Sequence, residues 1–293
     1  MNAWQRWVQA PATLPLRRAL FQIHLWLGIG FGFYVLMISL SGSAIVLRPQ
    51  VAQWYTPSQV KSVEGEPLTG DALKAKVVEV YHDYAVMDVV PSRRPPRATY
   101  VKLEQNGQEV TRYFDQYAGV DLGPTYPWQV AGIEWLTRLH DELLLGREGR
   151  SYNGIGGVLF LGMLISGLVL WWQGRRRWWE GLLILPRSPR GWLWQLHSFF
   201  GFWAMFLLFV WGFTAIYFAW SEPFDAVIDW LDDNPEDETR PDSWLLFLIR
   251  MHFGRFRNML WANILWIVLG LIPAFLFISG FVVWYRRIVK KHP

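Results

Sequence analysis

QIHLWLGIGFG (residues 22–32) and QLHSFFGFWAM (residues 195–205) each open a long apolar run, and they share one design. In both stretches a histidine follows a glutamine and an aliphatic residue, and a glycine stands four residues after it, so that His24 aligns with His197. A repeat of this kind inside apolar segments indicates that the chain contains two copies of one structural unit.

The later apolar runs repeat as well. They close on ISGLVLWW (165–172) and ISGFVVWY (278–285), and a basic stop follows each of them. A segment with arginine and histidine precedes each run, which aligns His140 with His252 to within one residue. The sequence therefore predicts two hairpins of the same design, with one histidine for each helix.

The apolar runs are long enough to cross a membrane. A spanning helix needs about 20 mostly apolar residues, and 52% of the 293 residues are hydrophobic. The first run is too long for a signal-peptide core and is interpreted as a retained span. We predict a mainly α integral membrane protein, a four-transmembrane-helix bundle, with these spans: Ala19–Leu47, Tyr152–Trp172, Trp192–Trp220 and Ala262–Tyr285.

These spans divide the chain into six segments. They are 1–47 (N-terminus and first span), 48–151 (a segment with a compact unit at about 68–123), 152–191 (second span and a short loop), 192–220 (third span), 221–261 (a loop), and 262–293 (fourth span and tail).

The compact unit at 68–123 is predicted to be a small α+β insert. Apolar residues recur at helical spacing after Thr69, a candidate N-cap residue. Three stretches at 84–90, 97–105 and 109–117 are typical of strands, and the Asn-Gly pair at 106–107 predicts a tight hairpin. YAGVDLGP (117–124) is predicted to be a turn. One helix on an antiparallel sheet is the expected shape, and the insert contains no pattern typical of a catalytic site.

Charge at the span ends predicts the orientation. Lysine and arginine concentrate at both termini and in the loop between the second and third spans, whereas nearly all acidic residues lie in 48–151 and 221–261. Basic loops stay on the cytoplasmic side. We expect a multi-pass protein of a bacterial inner membrane, with both termini cytoplasmic and the insert periplasmic. The net charge of +4 then reflects topology and lipid contact, and a nucleic-acid partner is not expected.

This topology sorts the four histidines by depth. His24 and His197 lie near the cytoplasmic boundary of two outward-running spans, and His140 and His252 precede two inward-running spans at the periplasmic boundary. Helical bundles bind cofactors through facing side chains, and two imidazoles can be the axial ligands of one haem. The sequence predicts two haem b groups, with His24 and His197 as ligands on one side and His140 and His252 on the other.

Two glycines support this interpretation. Gly28 and Gly201 lie one turn beyond His24 and His197 on the same helix face, where a missing side chain leaves room for a flat macrocycle. Two alternatives stay open at this point. Each histidine can be a structural residue copied by duplication, or the pairs can bind zinc, although structural zinc prefers four ligands and the chain has no cysteine.

Over nearly its whole length the chain resembles the PepSY-associated transmembrane helix family. The matching stretches are IHLWLGIGFG, the insert ending in RYFDQYAGVDLG, LHDELLLG, ISGLVLWW and QLHSFFG. Several members of that family are inner-membrane ferric-siderophore reductases that bind haem between their helices. The resemblance implies a PepSY-like insert, and haem ligation by His24, His140, His197 and His252.

The predicted function is therefore electron transfer through two haems to ferric iron, with a ferric siderophore as the expected acceptor. A quinol or another protein is the expected donor, because the chain has no flavin or nicotinamide fold. We expect no catalytic residue beyond the haem ligands. Six arginines near the periplasmic histidines are candidates for contacts with haem propionates or with an anionic chelate, or else are interfacial anchors: Arg138, Arg147, Arg150, Arg250, Arg255 and Arg257.

Two other functions remain open from the sequence. The chain can be a cytochrome b-like subunit that delivers electrons to a periplasmic redox enzyme. It can also be a haem-free membrane protein whose PepSY-like insert binds or regulates a partner.

Overall fold

The computed structural model describes residues 5, 7–8, 14–60, 62–92, 96–172, 182–183, 191–231, 243–254 and 260–289. The chain forms two compact units. The helical unit comprises Met1–Val46 and Leu136–Pro293, and the insert comprises Leu47–Trp135.

The helical unit is built from the apolar runs of both hairpins. Its helices are α1 Pro15–Gly30, α2 Gly32–Ile45, α6 Arg147–Trp171, α7 Trp192–Trp203, α8 Met205–Ala219, α9 Glu222–Leu231, α10 Ser243–Phe253, α11 Leu260–Gly270 and α12 Ile272–Val289, together with the end of α5 Trp128–Glu142. No secondary structure was predicted for the segments before the second and fourth spans. Both segments form helices, which contain His140 and His252.

Helix length and composition support two to four membrane spans. Arg147–Trp171 and Trp261–Ile288 are each long and apolar enough to cross a membrane. The first and third predicted spans also qualify if each bent pair of helices counts as one span. Large side chains such as Phe33, Trp203 and Phe206 are exposed on these helices, as expected for surfaces that contact lipid.

The first and third spans are bent, which the sequence did not predict. Helices α1 and α2 meet at 57°, and α7 and α8 meet at 63°. Both breaks fall seven residues after the aligned histidines, at Phe31 and Ala204. At the first break a β-carbon on Gly32 would overlap the ring of Phe277, so only glycine lets α2 and α12 pack this closely. At the second, buried Ala204 packs against Leu208.

The insert is a helix packed on a four-stranded antiparallel sheet. It contains α3 Arg48–Tyr55, α4 Gly70–Val80, β1 Ala85–Val90, β2 Thr99–Gln105, β3 Gln108–Asp115 and β4 Val120–Pro124, in the sheet order β1-β2-β3-β4. Leu73 and Val77 of α4 are buried against Val101, Leu103 and Phe114 of the sheet. The predicted helix and the three predicted strands are all present.

Local turn chemistry explains the hairpin, and it confirms the first part of a second predicted turn. Asn106 and Gly107 both have positive φ, at 54° and 77°, and join β2 to β3 as a two-residue turn. Residues 117–124, predicted as a turn, do turn at Gly119 but then form β4, which pairs with β3. The glycine and proline content of this stretch concealed the strand.

Polar side chains hold β4 in place. Arg112 donates to Asp121 at 3.0 Å, and the Tyr81 hydroxyl donates to the same carboxylate at 2.7 Å. Burial by itself raises the pKa of Asp121, but the hydrogen bonds from Arg112 and Tyr81 outweigh burial and hold the pKa below its usual value. This cluster links the helix, the central hairpin and the edge strand of the insert.

Candidate functional site

The helical unit brings its four described histidines together as two pairs. The rings of His24 and His197 have centroids 6.5 Å apart and planes at 90°. The rings of His140 and His252 have centroids 6.4 Å apart and planes at 64°. We call these the first and second pairs. Each pair joins one histidine from each hairpin, in the combinations expected from the sequence.

In the first pair, both imidazoles are fixed at Nδ1 by serine hydroxyls. His24 Nδ1 lies 3.0 Å from Ser166 Oγ and 3.2 Å from the Met163 carbonyl, and His197 Nδ1 lies 2.9 Å from Ser279 Oγ. Each serine donates its own proton to a carbonyl three residues earlier in its helix. The hydroxyl oxygens are therefore acceptors, and Nδ1 of each histidine is the donor.

The second pair repeats this arrangement. His140 Nδ1 lies 3.0 Å from the Ile38 carbonyl and 3.3 Å from Ser41 Oγ. His252 Nδ1 lies 2.5 Å from Thr214 Oγ1. Both hydroxyls donate to carbonyls one turn earlier in their helices. All four histidines are thus assigned a proton on Nδ1, which leaves Nε2 with a free lone pair.

The spacing of each pair fits an iron ion between the two imidazoles. An iron bound through nitrogens about 2 Å away has ring centres about 6 Å apart, because each nitrogen lies about 1 Å from its ring centre. The observed separations of 6.5 Å and 6.4 Å agree with this value. Haem needs only two protein ligands, and imidazole Nε2 is a suitable one. The ligand type and the ring separation therefore suit a haem iron at each pair.

A cavity of about 800 Å³ surrounds the first pair. It lies among α1, α6, α7 and α12, and both Gly28 and Gly201 line it. A β-carbon on Gly28 would have no other atom within 4 Å, and one on Gly201 would come only within 3.8 Å of Leu276. The cavity is within the usual range for cofactor sites, roughly 300–1,000 Å³. The two glycines lie beside open space, where the sequence predicts room for a macrocycle.

Glycines also let the imidazoles approach neighbouring helices. A β-carbon on Gly167 would lie 3.1 Å from Cε1 of His24, and one on Gly280 would lie 3.3 Å from Cε1 of His197. Gly42 lies in the same way beside His140. A larger side chain at any of these positions would displace the imidazole.

Side chains from the following spans hold the ends of the helices that contain the second pair. Asn153 Nδ2 donates to the carbonyls of His140 and Asp141 at 2.7 and 2.8 Å, and the Tyr34 hydroxyl donates to Asn153 at 2.8 Å. In the other hairpin, Trp266 Nε1 donates to the Met251 carbonyl at 3.1 Å. These bonds satisfy carbonyls at helix ends and fix the backbone from which each histidine projects.

The two pairs lie at different depths in the bundle. Helix α6 contacts His24 through Ser166 and the backbone of His140 through Asn153. The rise along the helix between these two contacts is about 20 Å at 1.5 Å per residue. The pairs are therefore stacked along the bundle axis and do not share one site.

The structure distinguishes among the candidate arginines. Arg138 pairs with Glu142 at 3.1 Å, and Arg150 pairs with Asp141 at 2.5 Å, so both guanidinium groups already have an anionic partner. The side chains of Arg147 and Arg250 are exposed. Arg255 and Arg257 lie outside the described residues.

The roles of the hydroxyls were not predicted, although a sequence pattern pointed to two of them. Ser166 and Ser279 are the serines of the repeated Ile-Ser-Gly motif, and the glycines of that motif are Gly167 and Gly280. Thr214 follows His197 at the same spacing as Ser41 follows His24, but the residue types differ and the correspondence was not visible.

Comparison with protein families gives one match. The family described as the PepSY-associated TM region matches residues 21–244, about three quarters of the chain. The matched range includes His24, His140 and His197 and ends before His252. No curated protein matches the chain.

Proposed function

The chain belongs to the PepSY-associated transmembrane family, and from this premise we propose that it is a di-haem b reductase of the inner membrane. In this proposal, electrons enter at the first pair on the cytoplasmic side and leave at the second pair on the periplasmic side. The acceptor is ferric iron, bound in a siderophore.

One observation supports the proposal above all others. Both histidine pairs have a separation suited to one iron, and all four Nδ1 atoms are occupied by acceptors, which frees each Nε2 for a metal. Metal-binding histidines characteristically donate their other ring N–H to a fixed acceptor.

The residues have distinct roles in the proposed reaction. When bound, haem supplies one-electron exchange at its iron. The four histidines would hold that iron, the hydroxyls and helix carbonyls would orient the imidazoles, and mostly apolar side chains line the cavity around the first pair. Tyr34 and Asn153 hold the helix end beside His140, which keeps the second site rigid.

Charge and stoichiometry limit the substrates. A quinol donor would give up two electrons and two protons, which suffices for two ferric ions reduced by one electron each. Reduction lowers the charge of the iron, and hard oxygen ligands then bind it less tightly.

Arg147 and Arg250 are better candidates for contact with an anionic chelate than the ion-paired Arg138 and Arg150.

Reoxidation by a ferric chelate tests this function. Purified protein reduced with dithionite should return to the ferric spectrum when a ferric siderophore is added, and a ferrous chelator should trap iron(II). The iron-free siderophore is the control and should leave the protein reduced. In protein reconstituted into sealed vesicles with the second pair outward, His140→Ala should keep a reducible first haem but lose most of the reoxidation, because a large polar chelate added outside cannot cross the bilayer to the first haem.

The outcome also separates the alternatives. If the reduced protein is not reoxidised by any ferric chelate but is reoxidised by a soluble periplasmic redox protein, it is an electron-transfer subunit. A colourless purified protein without haem supports the regulatory interpretation and contradicts the proposal.

A further inference from the structure

Each hydroxyl group beside a histidine comes from the same hairpin as that histidine, a regularity that the proposed function does not require. Ser166 lies in the same hairpin as His24, on the opposite helix, and Ser41 lies in the same hairpin as His140. The second hairpin has the same reciprocal arrangement, with Ser279 for His197 and Thr214 for His252. Each hairpin therefore orients its own two imidazoles, and each pair then joins the two hairpins.

These hydroxyls are buried, and each of them both donates a hydrogen bond and accepts one. Their residues are between 0% and 3% exposed, so water does not satisfy them. Serine and threonine inside helices commonly donate to a carbonyl one turn earlier, and that bond by itself needs no histidine. Here it directs the hydroxyl proton away from the imidazole, so the oxygen is placed to accept from Nδ1–H. Ser43, also buried, bonds the Ser39 carbonyl and no histidine among the described residues, and it shows what a purely structural serine does.

Resting on the proposed function, we propose that these four hydroxyls are positioning residues that set the midpoint potentials of the two haems. They are Ser166 and Ser279 for the first pair, and Ser41 and Thr214 for the second. An acceptor on Nδ1–H raises the basicity of the imidazole and its donation to iron. Stronger donation stabilises ferric over ferrous iron and lowers the potential.

The hydrogen-bond distances rank the effects of the four hydroxyls on the haem potentials. His252 has its hydroxyl at 2.5 Å, the shortest of the four contacts. His140 lies closer to the Ile38 carbonyl, at 3.0 Å, than to Ser41, at 3.3 Å, so it keeps an acceptor when Ser41 is changed. Removal of the hydroxyl should therefore matter most at Thr214 and least at Ser41.

Redox titration of single variants, followed by visible absorption, tests the inference. Thr214→Val should favour the ferrous form of the second haem about threefold, a rise of ~28 mV for one electron, without shifting the first haem. Ser166→Ala should raise only the potential of the first haem, and Ser41→Ala should have a smaller effect than Thr214→Val. His140→Ala identifies the potential of the second haem.

Two controls separate a role in positioning from a role in folding. Thr214→Ser restores the hydroxyl and should return the potential close to the wild-type value, and Ser43→Ala should shift neither haem. The inference is overturned if Thr214→Val leaves the second potential unchanged, or if Thr214→Ser changes it as much as Thr214→Val does. If Thr214→Val loses the second haem, Thr214→Ser must retain it, and loss in both variants also overturns the inference. A wild-type protein without haem would instead contradict the proposed function itself.

Discussion

At the scale of single residues, the four histidines differ from ordinary buried histidines in how their two ring nitrogens are used. One nitrogen of each ring bonds a hydroxyl of its own hairpin, and the ring faces a histidine of the other hairpin. The sequence was sufficient to predict which histidines meet, because depth in the membrane follows from span direction. It was not sufficient to predict the hydroxyls, because serine and threonine in apolar helices usually bond their own backbone.

Substitution of single histidines tests the pairing. His197→Ala removes one ligand of the first pair, so the protein should keep about one of the two proposed haems, with the spectrum of the second site. His140→Ala should give the complementary spectrum. Haem content and low-temperature absorption spectra measure both variants. His82→Ala is the matched control, since His82 is an exposed residue of the insert and its loss should change neither spectrum.

The complementary pattern is the decisive result. If His197→Ala and His140→Ala remove the same spectral component, these residues serve one site and the assignment of pairs is wrong.

At the scale of helices, close packing at glycine decides where the imidazoles lie. The bends after His24 and His197 were not predicted, since both spans are apolar and helix-compatible on either side of the break. They occur where different spans pack together, with Gly32 against Phe277 and with Ala204 and Leu208 in one cluster with Leu164, which one segment of sequence cannot reveal. Strand β4 was missed for a related reason, because its pairing with β3 overrides its weak local preference.

Glycine substitution tests this packing. Gly167→Val would place methyl groups against His24, whose Cε1 lies 3.1 Å from an added β-carbon. The displaced imidazole should bind iron about tenfold more weakly, in the range typical of altered ligand support, while the second haem is retained. Haem titration of the haem-depleted protein measures the affinity of each site.

Gly162→Val is the matched control on the same helix. A β-carbon there meets no atom within 4 Å, so both haems should bind normally. Wild-type affinity at both sites in Gly167→Val would show that the contact with His24 does not position the ring.

At the scale of the whole helical unit, the two similar hairpins pack against each other, and their histidines meet at matched positions. Each histidine pair takes one residue from each hairpin, and the two pairs lie about 20 Å apart along the bundle. A haem at each pair would join the hairpins twice and create a path for electrons along the bundle axis. The repeat was predictable from sequence, because the histidines and the Ile-Ser-Gly motifs recur in register.

The haem content of the purified full-length protein tests the central claim most directly. A pyridine haemochrome assay, with protein determined by amino-acid analysis, should give about two haem b per polypeptide, because the two pairs have nearly equal spacing and equivalent partners. A value near one would mean that one pair is structural and that the path is incomplete. A value near zero in protein produced with ample haem would contradict the account.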